Sequence, residues 1–131
     1  MLLDTSGLLC CYHAGEPQHA DAVTFFNAAT ARLTHSYVLA EFIALCQARG
    51  LNRIRVLDFS ADLLDSPHVE VVWVDETLHR SALTLLQERL DKTYTLCDAV
   101  SFVLMRERGI AEALTTDHHF EQEGFTRPLK P

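Results

Sequence analysis

Four acidic residues occupy positions from which their side chains could do chemistry together: Asp4, Glu41, Asp98 and Asp117. Asp4 and Asp117 each follow a short apolar run that predicts a strand. An acid in that position often only caps the next helix. In open parallel sheets, however, ligands bind just beyond the carboxyl ends of the strands. If these two strands are neighbours, we expect the two carboxylates to lie at one edge of the sheet.

Glu41 and Asp98 belong to predicted helices. Glu41 lies in residues 37–45, a segment that is otherwise almost entirely apolar. Burying an unpaired carboxylate is costly, so Glu41 must either reach solvent or have a cation nearby. Asp98 is the third residue after Thr95, in the pattern of an N-terminal capping box. Capping alone could explain Asp98, but the apolar helix that follows places this N-terminus near the core.

The chemistry that these side chains support is the binding of a divalent cation. Carboxylates in one cleft raise one another's pKa, because their negative charges repel. Hard cations with oxygen ligands relieve the repulsion, and an all-oxygen site favours Mg²⁺ or Mn²⁺. The hydroxyl groups of Thr5, Ser6 and Thr116 stand beside two of the acids and could orient ligands or bound waters.

The hydrophobic pattern predicts the elements that must position these residues. The predicted strands are residues 1–3, 32–35, 69–74 and 113–116, with a final strand near Phe125. The predicted helices follow Asp4, begin near Pro17, are capped by Ser36, Asn52, Asp75 and Thr95, and include a short turn over 118–123. Strands separated by helices pair in parallel. We therefore expect a single domain over residues 1–131, a three-layer α/β/α sandwich around a mainly parallel sheet of four to five strands.

The composition is that of an ordinary globular protein, with 48% hydrophobic and 22% charged residues in 131. The net charge of −7 argues against holding nucleic acid by bulk counterion release, but not against local contacts through metal ions or a few arginines. A membrane-spanning helix needs about 20 apolar residues, and no run approaches that length. The four cysteines form no C-x-x-C pair, so we expect free thiols and a cytoplasmic protein.

Together, the four acids resemble the motifs of the PIN domain family. The first motif, an Asp-Thr-Ser turn after the opening strand, is matched by residues 4–6, and the second, a Glu within an apolar helix, by Glu41. The third, Ser/Thr-x-x-Asp at a helix start, is matched by residues 95–98. The fourth, Thr/Ser-x-Asp before a short helix with an aromatic residue, is matched by residues 115–117 and Phe120. Order and spacing agree over essentially the whole chain, which looks most like the VapC-type toxins of toxin–antitoxin pairs.

The resemblance implies a metal-dependent endoribonuclease in which Asp4, Glu41, Asp98 and Asp117 hold Mg²⁺ or Mn²⁺ and carry catalysis. Two such ions about 4 Å apart can clamp the attacking and leaving oxygens of a phosphodiester. It also implies an RNA substrate, a small antitoxin partner and a homodimer. The alternatives are a free-standing PIN nuclease in RNA processing and a catalytically silent metal-binding interaction module. A phosphatase of the haloacid dehalogenase type is disfavoured, because it needs a second Asp where Ser6 stands.

Three further features have plain structural interpretations. His118 and His119 are not expected to bind metal, because adjacent residues of a helix point about 100° apart. The arginines near two helix ends are expected to be solvated, with an RNA-guiding rim as the alternative: Arg49, Arg53, Arg55, Arg106 and Arg108. The apolar residues of 51–64 fit either the core or a surface for a second copy or an antitoxin.

Overall fold

The structure is a computed structural model that describes residues 1–130. Over these residues, short strands alternate with helices as the hydrophobic pattern predicts. The elements are β1 (Leu2–Leu3), α1 (Thr5–Tyr12), α2 (His19–Ala28), β2 (Leu33–His35), α3 (Ser36–Ala48), α4 (Arg53–Asp65), β3 (Glu70–Val72), α5 (Glu76–Gln87), α6 (Leu96–Arg108), β4 (Ala113–Leu114) and α7 (His119–Gln122). Within the described chain, no helix is long and apolar enough to cross a membrane.

The four strands form one sheet in the order β3-β2-β1-β4, and every pairing is parallel. The first and fourth strands are therefore neighbours, with Leu3 opposite Leu114. All the carboxyl ends lie at one edge, because the strands run in the same direction. This register brings the residues just beyond β1 and β4 together, which confirms the expected meeting of Asp4 with the end of β4.

Helices cover both faces of the sheet. Successive side chains of a strand point to opposite faces, so Leu2 and Leu3, both fully buried, belong to two separate hydrophobic clusters. The cluster around Leu3 includes residues of α1, α3 and α4. The cluster around Leu2 includes residues of α5 and α6, with Phe120 of α7. The three-layer α/β/α sandwich is thereby confirmed.

Gly7 allows α1 to begin directly against the sheet. A β-carbon at this position would lie 1.9 Å from the carbonyl oxygen of Leu114, a separation that no side chain can tolerate. The first turn of α1 therefore packs on the end of β4. Thr5 and Ser6 are brought to the same edge of the sheet as the acids.

Two details of the predicted elements are wrong. His35, rather than Ser36, is the N-terminal cap of α3, and its Nδ1 accepts a hydrogen bond from the backbone N–H of Val38. The Ser36 hydroxyl instead accepts from the backbone N–H of Val74, because the segment after β3 passes beside the start of α3. The expected final strand near Phe125 is reduced to a single parallel bridge between Glu112 and Thr126. The caps predicted at Asn52, Asp75 and Thr95 are confirmed.

Candidate active site

Asp4 lies directly after β1, at the N-cap position of α1, but its side chain makes no capping hydrogen bond. The residue is only 5% exposed, and its Oδ2 accepts a hydrogen bond of 2.8 Å from the hydroxyl group of Thr115. The interpretation of Asp4 as a simple helix cap is therefore wrong. A buried carboxylate that does no capping is available to an external ligand.

A chain of hydroxyl groups orients Asp4. Thr115 Oγ1 uses its single hydrogen on Asp4, so Ser6 Oγ, 3.1 Å away, must donate to Thr115 Oγ1. Ser6 Oγ accepts in turn from the backbone N–H of Thr116, and Thr115 Oγ1 accepts from that of Asp117. The turn after β4 is thus tied to the acid after β1. Ser6 acts on Asp4 only through Thr115, Thr116 contributes its backbone N–H rather than its hydroxyl group, and Thr115 is a residue that the sequence did not single out.

Asp98 is a buried acid at the start of α6 with two roles. It forms the predicted capping box, in which its Oδ2 accepts from the backbone N–H of Thr95 and its own N–H donates to the Thr95 hydroxyl. The same Oδ2 lies 3.2 Å from Nδ1 of His119. Asp117, half-buried after β4, lies 3.3 Å from that Nδ1 through its Oδ2. One imidazole therefore contacts two of the predicted acids.

Glu41 differs from the other acids because its side chain is exposed, on the α3 helix. It reaches solvent, which is one of the two outcomes that its apolar surroundings allow. Its charge nevertheless acts on the site: after burial, the charges of Glu41, Asp4 and Asp98 raise the pKa of the Cys97 thiol. Glu41 is therefore near enough to Cys97, the residue before Asp98, for its charge to act on the same part of the molecule.

The chain matches the model of the PIN domain over residues 1–125. It belongs to the PIN domain family. The 23S rRNA-specific endonuclease VapC20 of Mycobacterium tuberculosis is 29% identical over 126 residues, with 95% of each chain covered, in both strains in which the match is found. The crystal structure of M. tuberculosis VapC20, described as a sarcin–ricin loop cleaving toxin, superposes with a TM-score of 0.88 at 27% identity. That superposition covers 99% of this chain and 98% of VapC20.

Burial dominates the electrostatics of the two buried acids of this PIN domain's site. It raises the pKa of Asp4 to about 7; the Thr115 hydroxyl group and the backbone N–H of Thr5 only partly oppose the increase, and the charges of Asp98 and Glu41 add to it. Burial also raises the pKa of Asp98, helped by the charge of Asp117 and opposed by its hydrogen bonds. Within residues 1–130, neither Asp4 nor Asp98 has an ion pair with Lys or Arg. The site therefore holds excess negative charge.

The residues at this edge of the PIN domain fit a divalent cation. The donors are carboxylate oxygens, which hard ions prefer, and among the described residues no Lys or Arg side chain neutralises Asp4 or Asp98. Thr5 adds an independent sign, because its hydroxyl oxygen is buried beside Asp4 without a hydrogen-bond partner among the described residues. A polar atom in that position costs free energy unless a ligand or water satisfies it. Thr5 thus fits its predicted role beside a bound ion.

The two histidines after Asp117 lie closer together than expected. The sequence predicts a helix that contains both residues, but His118 is the N-cap residue of α7, and only His119 lies within the helix. Ligand atoms of Asp117, His118 and His119 all lie within 4.8 Å of one another. The side chain of His118 is 67% exposed, whereas that of His119 is 15% exposed. Their environments therefore differ sharply, although the residues are adjacent.

Proposed function

We propose that this PIN domain is a metal-dependent endoribonuclease and the toxin of a type II toxin–antitoxin pair. The observation that carries the proposal is the group of acids at the carboxyl edge of the sheet, of which Asp4 and Asp98 are buried and form no ion pair with Lys or Arg among the described residues. Four acids in this order match the family's motifs, and the similar VapC20 is an endoribonuclease. Phosphodiester hydrolysis uses such an acidic cleft to bring cations to a charged backbone.

Asp4, Glu41, Asp98 and Asp117 would hold Mg²⁺ or Mn²⁺ in the proposed mechanism. A bound divalent cation would supply the positive charge that stabilises a phosphodiester's developing negative charge. The protein's own part is to keep the ligands in place. Ser6 and Thr115 orient the Asp4 carboxylate, and Thr95 orients that of Asp98. Thr5 offers a hydroxyl group to water or to an ion's ligand at the same place.

We propose ribosomal RNA as the substrate class, because VapC20 is specific for 23S rRNA and aligns over nearly the whole chain. A chain with a net charge of −7 cannot hold RNA by bulk electrostatics. Recognition then depends on the shape of a folded RNA loop and on metal-bridged contacts at the cleft. A ribosomal substrate and four free cysteines also support a cytoplasmic site of action.

The proposed antitoxin would find an apolar surface on α4. Val56 and Leu63 of this helix are buried in the core, whereas Ile54 is 73% exposed, and Leu57 and Leu64 are also exposed. Successive exposed residues of this set are three and seven positions apart in the sequence, which places them near one face of the helix. An amphipathic helix of a partner could cover this face.

We also propose the homodimer that is usual in the family, which a mass measurement in solution would test.

The test of the proposed function is to map RNA ends after pulsed expression, with Asp4→Asn as the control. We expect new 5′ ends in ribosomal RNA with the wild type and none with the variant. Purified protein should cut the same RNA with Mg²⁺ or Mn²⁺ and lose the activity in EDTA. Cleavage that persists in EDTA or in the variant would refute the metal-dependent site. Metal binding without cleavage of any cellular RNA would favour the silent interaction module.

A second arm separates the toxin from a processing nuclease. Expression of a toxin should arrest growth, and co-expression of the small protein encoded beside it should restore growth and bind the purified chain. A processing nuclease would instead trim defined precursors without arresting growth. Normal growth together with discrete precursor cleavage would contradict the toxin while keeping the nuclease.

A further inference from the structure

His119 links two of the acids that the proposed function requires. It is the first residue of α7, and its Nδ1 lies 3.2 Å from Asp98 Oδ2 and 3.3 Å from Asp117 Oδ2. The two acids belong to different elements, the start of α6 and the turn after β4. Nδ1 and Asp98 Oδ2 meet hydrogen-bond geometry, and a carboxylate only accepts, so Nδ1 donates to Asp98. The same nitrogen lies within ion-pair distance of Asp117 Oδ2, so one imidazole stands between two acids.

The rest of the His119 ring is fixed by its neighbours. Nε2 lies 3.1 Å from the hydroxyl oxygen of Thr93, and the ring packs edge-on against Tyr94 with 5.3 Å between centroids. The side chain is only 15% exposed. Both ring nitrogens are thus engaged by protein groups. A ring held in this way can orient ligands, but it offers no free nitrogen to an ion.

We propose that His119 is a positioning residue: it sets the separation and orientation of Asp98 and Asp117 so that a divalent cation can bind between the acids, without itself binding the ion. The inference rests on the proposed metal site. The imidazole holds Oδ2 of Asp98 by a hydrogen bond and lies 3.3 Å from Oδ2 of Asp117, whose Oδ1 accepts from the backbone N–H of the same residue. Partners that orient metal ligands typically contribute 10- to 100-fold to metal affinity, so we expect a loss of about that size without the imidazole.

The chain offers matched controls. His118 is the adjacent imidazole, but its Nδ1 lies 3.7 Å from Asp117 Oδ1, beyond hydrogen-bond distance, and its side chain is largely exposed. The backbone N–H of His119 donates to Asp117 Oδ1 at 2.9 Å, and substitution of the side chain leaves that bond in place. In His119→Asn the amide nitrogen takes the place of Nδ1. In His119→Ala nothing takes its place.

The experiment measures Mn²⁺ binding by the electron paramagnetic resonance signal of the free ion, with RNA cleavage as a function of Mn²⁺ as a second readout. We expect His119→Ala to raise the dissociation constant about 10- to 100-fold, while cleavage largely recovers at saturating Mn²⁺. His119→Asn should restore most of the affinity, and His118→Ala should bind like the wild type. Thr93→Val, an exposed site that tolerates substitution, should weaken binding by several-fold.

Each contrary result has one meaning. Wild-type affinity in His119→Ala, or an equal loss in the Asn variant, would overturn the positioning role. An equal loss in His118→Ala and His119→Ala would overturn it in favour of both imidazoles as ligands. If His119→Ala does not fold, as judged by its melting curve in EDTA, Thr93→Val decides, and unchanged affinity there refutes the role. Asp4→Asn distinguishes the two proposals: if wild type and this variant both fail to bind Mn²⁺, the proposed function falls and this inference falls with it.

Discussion

Two regions of this PIN domain bury acidic side chains in opposite ways. Glu123, after α7, has a side chain only 4% exposed, and Arg89 and Arg106 both form ion pairs with it. Burial alone would raise its pKa, but hydrogen bonds from Arg106 and Arg89 hold that pKa below its ordinary value. Asp4 is buried as well, but its side-chain partner is a neutral hydroxyl group, and its pKa is raised to about 7.

The difference separates structural acids from acids kept for a ligand. Where a carboxylate only connects elements, the fold supplies cations from its own side chains. At the carboxyl edge of the sheet it supplies hydroxyl groups and N–H groups, which orient the acids without neutralising them. Without metal, protonation of Asp4 relieves part of the repulsion, and in the proposed function a divalent cation would supply the positive charge instead. The contrast can be tested by removing acids from each region.

The largest effect is expected on catalysis. Asp4→Asn, Asp98→Asn and Asp117→Asn should each lower RNA cleavage by at least about 100-fold, because each removes a ligand charge worth several kcal/mol in the transition state. Glu41→Gln should be severe but leave a trace, since that side chain lies at the exposed side of the cleft. Initial rates with a labelled RNA measure the effect, and Glu123→Gln is the matched control. Near-normal rates in two of the four variants would refute the four-acid site.

The pH dependence of stability should differ between wild type and Asp4→Asn without metal. The pKa of Asp4 rises from 3.8 to about 7 on folding. The folded state therefore binds the Asp4 proton more tightly than the unfolded state does. The resulting contribution to the free energy of unfolding is lost as the pH rises from about 4 to about 7, at up to about 1.4 kcal/mol per pH unit. Burial lowers the pKa of His35 to about 4, which adds an opposite slope to both proteins.

The prediction therefore concerns the difference in free energy of unfolding between the two proteins, measured by urea titration across this pH range. Asp4→Asn should gain stability relative to wild type as the pH rises, and the gain should level off above about pH 7. A difference that stays constant with pH would mean that Asp4 does not titrate as the buried, uncompensated acid described above.

A smaller effect with the opposite sign is expected at Glu123. Glu123→Gln leaves Arg89 and Arg106 without their charged acceptor. We expect the free energy of unfolding to fall by about 1–2 kcal/mol. The loss is no larger because both arginines are partly exposed to solvent. Asp4→Asn should leave the metal-free melting temperature unchanged or raise it, because it removes repulsion. Thermal melts of wild type, Glu123→Gln and Asp4→Asn in EDTA measure both effects. A strongly lowered melting temperature in Asp4→Asn would restore the structural interpretation of that acid.

The sequence predicted the fold and the position of Asp4 and Asp117 after neighbouring strands because both follow from simple rules. Strands that alternate with helices pair in parallel, and acids after neighbouring strands share one edge. The capping box at Thr95 and Asp98 is likewise a local pattern, and the structure confirms it. What made the site recognisable was the coincidence of four short motifs rather than any single one.

The remaining details depend on register and side-chain direction, which local patterns do not contain. Thr115 and Thr116 look equivalent in sequence, but the pairing of Leu3 with Leu114 puts Thr115 beside Asp4. The position of His119 between two acids depends on where α7 begins. The helix starts at His119 and does not include His118. Glu41 lies on an apolar helix and yet is exposed, because it shares the outer face of α3 with the small apolar residues Ala40 and Ala44.

The most direct test of the central claim is a metal titration of the melting temperature of wild type and Asp4→Asn from an EDTA baseline. Ligand linkage predicts that wild type gains about 2.7 kcal/mol at a metal concentration 100 times the dissociation constant, and that the gain rises with the logarithm of concentration. Glu123→Gln, with its site intact, should gain as much as wild type. Asp4→Asn should gain much less. Equal metal-induced shifts in wild type and Asp4→Asn would show that Asp4 is not a metal ligand and would contradict the assignment of the site.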